Sequence, residues 1–174
     1  MTAGDPAEST PATPLGQPRT ALVVVASTRA AAGTAEDRTG PVILRWLRDR
    51  GFAVDEPAIV ADGEPVGRAL IAGIAQPVDL VVTTGGTGVT PTDATPEMTL
   101  PLLDRQLPGV EEELRRRGLA VTPTAMLSRG VVGVAGRTLV VNLPGSPGGV
   151  KDGLAVLDTV LDHLLDQITG SDHG

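Results

Sequence analysis

The sequence has no cysteine, so disulfides, thiol nucleophiles and cysteine-ligated zinc are excluded. Tyrosine is also absent, and Lys151 is the sole lysine. The only aromatics are Trp46 and Phe52, too few for a base-stacking platform. Both histidines, His163 and His173, lie near the C-terminus, which leaves no material for a Ser-His-Asp triad or a histidine metal cluster. No apolar run approaches the roughly 20 residues that span a bilayer. Positive charge is scarce. The net charge is −7, whereas binders of duplex nucleic acid carry basic faces. Any chemistry must rest on Asp, Glu, Arg, hydroxyls, backbone amides and a borrowed metal.

The chain has 174 residues, room for one domain with a sizeable core. Residues 1–18 are rich in Pro, Ala, Ser and Thr and read as a disordered tail. They have neither a basic start nor an apolar run, so they are not a signal peptide, and the cytoplasm is the expected location. A domain is expected over 19–169, with a short tail at 170–174.

Within that domain, strand and helix patterns alternate. "TALVVVA" (20–26) is a continuous apolar run, as in a buried parallel strand. "GPVILRWLRDRG" (40–51) reads as a helix with Pro41 in its first turn and Gly51 at its end. "FAVDEPAIV" (52–60) is a weaker strand, placed near an edge by Pro57. Helix 64–75, strand 78–84 and a Pro-broken helical stretch over 95–104 follow. "GVEEELRRRG" (109–118) reads as a solvated helix with i,i+4 pairing. Residues 130–144 read as two strands around the turn "AGR". Residues 146–168 read as one long amphipathic helix, with Val150, Leu154, Leu157, Leu161, Leu164, Leu165 and Ile168 on one stripe. This alternation predicts a three-layer α/β/α sandwich with a mostly parallel sheet. Such sheets bind ligands beyond the carboxyl ends of their strands. There the loops 26–33, 61–64, 85–93 and 144–149 should gather.

The loop after the third apolar run is the most informative. "TTGGTGVTPTDATPE" (83–97) sets glycines and the hydroxyls of Thr83, Thr84, Thr87, Thr90 and Thr92 around Asp93. "GGTG" fits a tight strand-to-helix turn or a phosphate cradle equally well. The hydroxyls favour the cradle. In "NLPGSPGG", Ser146 and Pro147 read as N-cap and first helical residue, at a helix end suited to anions. Asp62 reads as the N-cap of the helix that follows it, whereas Thr95 is a better cap than Asp93 for the next one. A carboxylate beside bound phosphate needs a cation between the two. Mg²⁺ is held by one or two carboxylates plus substrate phosphates. Asp93, with Asp62 as a second ligand, would supply them. Of the loop arginines Arg29, Arg38, Arg129 and Arg137, a phosphorylated substrate would use some.

Three motifs in this order, "TTGGTGVTPTDATPE", "PTAMLSRG" and "NLPGSPGGVKDGL", resemble the molybdopterin adenylyltransferases, the Mog/MoaB-type proteins whose fold recurs in the gephyrin G domain. The resemblance covers about residues 20 to 168. It implies an enzyme of molybdenum cofactor biosynthesis that moves AMP from ATP to the terminal phosphate of molybdopterin. Asp62 and Asp93 match the family's two functional aspartates. Gly85, Gly86, Thr87 and Gly88, with Asn142, Pro144, Gly145 and Ser146, match its pterin- and phosphate-binding loops. Ser27, Arg29 and Ser128 match further substrate-binding positions. The resemblance also implies Mg²⁺, a homotrimer, and a molybdenum-inserting protein downstream. Many members carry Arg immediately before the second aspartate, where this chain has Thr92. A non-catalytic pterin-binding paralogue of the same fold is the alternative.

Overall fold

The computed structural model describes residues 17–171. The expected tails, apart from residues 17, 18, 170 and 171, lie outside the described residues, as does His173. In chain order the elements are β1 (Thr20–Ala26), α1 (Thr28–Ala31), α2 (Gly40–Asp49), β2 (Ala53–Val54), β3 (Ala58–Val60), α3 (Glu64–Ile74) and β4 (Leu80–Thr84). Then come α4 (Thr95–Thr99), β5 (Arg105–Gln106), α5 (Pro108–Leu119), β6 (Val132–Ala135), β7 (Thr138–Leu143), α6 (Pro147–Leu157) and α7 (Leu161–Thr169). Short 3₁₀ turns cover Leu100–Leu102 and Pro123–Leu127.

The sheet runs β2-β1-β4-β7-β6-β5, and β3 also pairs with β1. Strands β1, β2, β3, β4 and β7 are mutually parallel; at the other edge β6 pairs antiparallel with β7, and β5 pairs antiparallel with β6. The central strands are apolar on both faces because both are covered. Val23 and Val25, Leu80 and Val82, and Leu139, Val141 and Leu143 face α2, α6 and α7. Val24, Val81 and Val140 face the opposite way, against Val66 and Leu70 of α3 and Met98 of α4. The three-layer sandwich expected from the sequence is therefore present. From β1 the chain crosses by α2 to β2 and β3 on one side, then by α3 to β4 on the other. The order of strands reverses between β1 and β4, and in open α/β sheets such a point forms a crevice at the strand ends.

Four local expectations change. The helix expected over 146–168 is two helices. Thr159 Oγ1 donates to Val156 O at 2.7 Å, and Thr159 N and Val160 N bond three residues back, which tightens and ends α6. The apolar stripe survives the break, with Val150, Leu154, Leu157, Leu161 and Leu165 buried together. The strand expected over 52–60 is two short strands on either side of Pro57, both on β1. Asp62 does not cap α3: Gly63 is the N-cap residue, at φ +85°. Thr95 does not cap α4 either. Ala94 is the N-cap residue there, and buried Thr95 donates its hydroxyl to Gly85 O at 3.0 Å. Strand β5, helix α1 and the turn 123–127 have too little periodicity to be read from the sequence.

Candidate active site

The ends of β1, β4 and β7 are packed so closely that Gly85 has no room for a side chain and Gly145 has little. A Cβ on Gly85 would collide with Ala26 O, and one on Gly145 would stand 3.2 Å from Gly85 Cα. Gly85 (φ +91°) and Gly86 (φ +65°) turn the chain sharply out of β4 in a conformation that favours glycine. Thr84 Oγ1 donates to Pro144 O at 2.8 Å and joins this turn to the loop after β7.

Both aspartates stand beside the turn. Asp62 Oδ1 lies 3.1 Å from where a Gly86 Cβ would be, and Asp93 Oδ2 lies 2.7 Å from where a Gly88 Cβ would be. Asp62 Oδ2 accepts from Thr28 N at 3.1 Å and Thr28 Oγ1 at 2.8 Å. Asp93 Oδ2 accepts from Thr90 N at 3.0 Å and Thr90 Oγ1 at 2.7 Å. In each carboxylate one oxygen is held by threonine, and Oδ1 takes no hydrogen bond from the described residues. No group of three or more acidic or histidine side chains among the described residues could hold a metal unaided. Two carboxylates that leave positions open suit Mg²⁺, which keeps sites for water and substrate phosphate.

A cavity of about 600 Å³ opens beside Gly86, Thr87, Gly88 and Asp93. That volume suits a ligand of cofactor size. Its other walls are Ser128, the Pro144–Ser146 loop, the start of α6 and one face of α5. At the start of α6, Ser146 Oγ accepts from Gly149 N at 3.1 Å, the expected N-cap. A Cβ on Gly148 would meet nothing within 4 Å, so a ligand can reach the backbone there. The charges around the cavity are Asp93, Glu111 and Asp152 against Arg115. Arg115 is loosely tied, 3.4 Å from Ser128 O and Gly130 O and 3.8 Å from Glu111.

The model of a "probable molybdopterin binding domain" matches residues 22–163. The molybdenum cofactor biosynthesis bifunctional protein of Chlorobaculum tepidum is 44% identical over 158 residues, 90% of this chain and 50% of that protein. The molybdopterin adenylyltransferase of Helicobacter pylori is 37% identical over 153 residues, 86% of this chain and 87% of that protein. The solved Mog protein of Mycobacterium ulcerans is 55% identical, with a TM-score of 0.84 over 88% of this chain and 99% of that one. This chain belongs to the Mog/MoaB molybdopterin adenylyltransferase family. It spans about half the length of the bifunctional relative.

The residues that the family resemblance singles out fall into two groups. Gly86, Thr87, Gly88, Asp93, Ser128, Asn142, Pro144, Gly145 and Ser146 line the cavity. Gly85, Ser27, Arg29 and Asp62 do not; Gly85 opens the turn out of β4, and Ser27 caps α1 on its Asp62 side through Ala30 N at 3.2 Å. Asn142 has its amide committed to the fold. Nδ2 donates to Thr83 Oγ1 and Thr99 Oγ1, and Oδ1 accepts from Val131 N. Thr84 and Thr90 donate their hydroxyls within the protein, and Thr83 is fully buried with its oxygen accepting from Asn142, so few of these threonines offer a donor to a ligand. Glu111 is not on a solvated face. It is buried and accepts from Val132 N at 2.9 Å, tying α5 to β6. Glu111, Arg115 and Asp152 were missed as cavity residues because their charge suggested helix surface. Thr28 and Arg129 carried no local signal of their contacts with the acidic loops.

Proposed function

We propose that this chain transfers AMP from ATP to the terminal phosphate of molybdopterin in molybdenum cofactor biosynthesis. An oxygen of the pterin phosphate would form a bond to the α-phosphorus of ATP. The bond from that phosphorus to the oxygen bridging to the β-phosphorus breaks, and its electron pair leaves with pyrophosphate. The observation that carries this reading is Asp93 on the cavity wall beside Gly88, with Asp62 beside Gly86 on the other side of the same turn. Acidic groups would repel both anionic substrates unless a cation lies between. Asp62 and Asp93 would hold Mg²⁺, which when bound neutralises charge that develops on the phosphoryl oxygens.

The remaining residues bind and orient. The open amide end of α6 at Gly148 and the backbone of Gly86–Gly88 suit phosphate oxygens. Arg115 is the cation of the cavity wall and could take over the phosphate contact that Thr92 does not provide. Ser128 and the loop of Pro144, Gly145 and Ser146 would border the pterin. Asn142 supports this wall from within through its three hydrogen bonds. Ser27 and Arg29 stand on the Asp62 side, where ATP would reach.

The same reading implies a homotrimer in the cytoplasm, with a molybdenum-inserting protein to receive the product. A monomer mass by light scattering at micromolar concentration would contradict the trimer. The test of the activity is single turnover with molybdopterin and ATP labelled at the α-phosphorus, with Mg²⁺ and with chelator. Adenylylated molybdopterin and pyrophosphate are expected with Mg²⁺ alone. Pterin binding without any transfer would establish the non-catalytic alternative.

A further inference from the structure

The loop 85–93 is held from behind by a residue that does not line the cavity. Arg129 lies between Ser128 and Gly130, which do line it. The Arg129 main-chain N–H donates to Thr87 O at 2.8 Å. Its Nε donates to Gly88 O at 2.8 Å and its Nη2 to Asp93 O at 2.9 Å. Its Nη1 is paired with the Glu97 carboxylate in the first turn of α4. The side chain therefore fastens the middle of the loop at Gly88, its end at Asp93 and the helix that follows.

We infer that Arg129 is a positioning residue that sets the Asp93 carboxylate for phosphoryl chemistry; this rests on the adenylyl-transfer reading above. Three oxygens at fixed spacing match the rigid, planar fork of a guanidinium, which a lysine ammonium cannot reproduce. Between the anchored ends, Val89 is exposed at the loop's apex, and the side-chain bonds inside the loop are those of Thr90 with Asp93 and Thr92. Thr95 stays tied to Gly85 O and Gly86 O, so without Arg129 the Thr90–Asp93 turn could swing as one piece about that point. Asp93 would keep its local bonds and lose its place relative to Gly88 and Asp62. The clamp also occupies the carbonyl oxygens of Thr87, Gly88 and Asp93, acceptors that would otherwise be free to confront an anionic ligand.

The test uses the full chain with Arg129→Lys and Arg129→Ala, each alone and combined with Asp93→Asn. In Arg129→Lys, AMP transfer should fall about tenfold or more, as for other small misplacements at a reacting centre. The half-activating Mg²⁺ concentration should rise, Mn²⁺ binding in the presence of ATP should weaken, and amide hydrogen exchange should quicken over 87–97. In the Asp93→Asn background the same change should alter the residual rate by about twofold or less, because the two residues act as one unit. An equal loss in both backgrounds, or an unchanged Mg²⁺ requirement, would overturn the inference. If Arg129→Ala fails to fold, Arg129→Lys carries the test. A wild-type chain without AMP transfer overturns the proposed function instead. Mn²⁺ binding with ATP then decides the role of Arg129, and undiminished binding in Arg129→Lys counts against it.

Discussion

Asp62 and Asp93 stand beside the same glycine turn but are held there by different means. Asp93 is fixed within its own loop by Thr90, three residues earlier, and the loop is fixed from behind by Arg129. Asp62 depends on Thr28, which arrives from the end of β1, a neighbouring strand. The first arrangement is a local motif on a distant anchor. The second exists only because β1 and β3 pair in parallel, Ala26 opposite Val60, so that their loops leave the sheet together. The proposed two-carboxylate site would thus draw on one loop that nearly organises itself and one that the sheet must organise.

The comparison is broken most severely by removing one charge at a time. In Asp93→Asn, AMP transfer should fall by on the order of a hundredfold or more, as at other preorganised charge sites. The amide oxygen can still accept from Thr90, so the melting temperature and pterin binding should stay near wild type. Asp62→Asn should lose transfer to a similar extent. It should also melt normally, since Asp62 is not the cap of α3. Wild-type single-turnover rates in either variant would sink the shared-metal reading.

Gly86→Ala should come next. Its φ of +65° is strained for alanine, and the new Cβ would collide with Thr95 Oγ1 and crowd Asp62 Oδ1. Both stability and transfer should drop, stability by about 1–3 kcal/mol. Gly136→Ala, with φ +59° and nothing within 4 Å, supplies the control for backbone strain alone. Denaturant melts of the two should differ; equal losses would show that the crowding is relieved.

Thr28→Val separates the two aspartates more finely. It removes both bonds of the hydroxyl with Asp62, the one donated to Oδ2 and the one accepted from Asp62 N, and leaves the Asp93 loop untouched. Because these bonds are exposed, stability should change by less than about 1 kcal/mol. Transfer should fall several-fold, with the metal requirement shifted. A pure stability effect would show that Asp62 finds its place without Thr28.

The smallest effect concerns the anchor of Arg129. The hydrogen bond from Arg129 holds the Glu97 carboxyl below the ordinary glutamate range. A folded-state value below the unfolded one stabilises the protein above the ordinary value. That contribution is lost as pH falls through the lower one. Both side chains are well exposed, so Glu97→Gln should cost about 0.5 kcal/mol or less at neutral pH. The difference from wild type should vanish in acid, below the folded-state value. Melting curves across the acid range check this, and a difference that persists in acid would assign the effect to packing.

Much of this molecule was legible before its fold was known. The apolar runs at 20–26, 78–84 and 130–144 could hardly be anything but covered strands, and Ser146-Pro147 marks a helix start that the structure keeps. Asp93 and the glycine turn stood out because a carboxylate in a glycine-threonine loop lacks a local explanation, whereas Asp62 read as a helix cap. Glu111 was misread because "EEELRRRG" looks solvated residue by residue; its burial follows from α5 lying against β6, with Val132 N as its partner. Asn142 enters the site through the resemblance alone, and the loop threonines through their polarity; the partners of both are invisible in the sequence.

The sequence by itself determined the long strands and helices, the three-layer class, and a glycine turn with a carboxylate nearby, since each follows from local period and backbone freedom. Only the tertiary structure decided which polar groups are spent and which remain. Thr83 is engaged by Asn142, 59 residues away, and Gly88 by Arg129, 41 residues away. A hydrogen bond needs its two atoms within about 3.5 Å, a condition no local pattern expresses. It is met here because parallel pairing brings the carboxyl ends of β1, β3, β4 and β7 to one edge of the sheet.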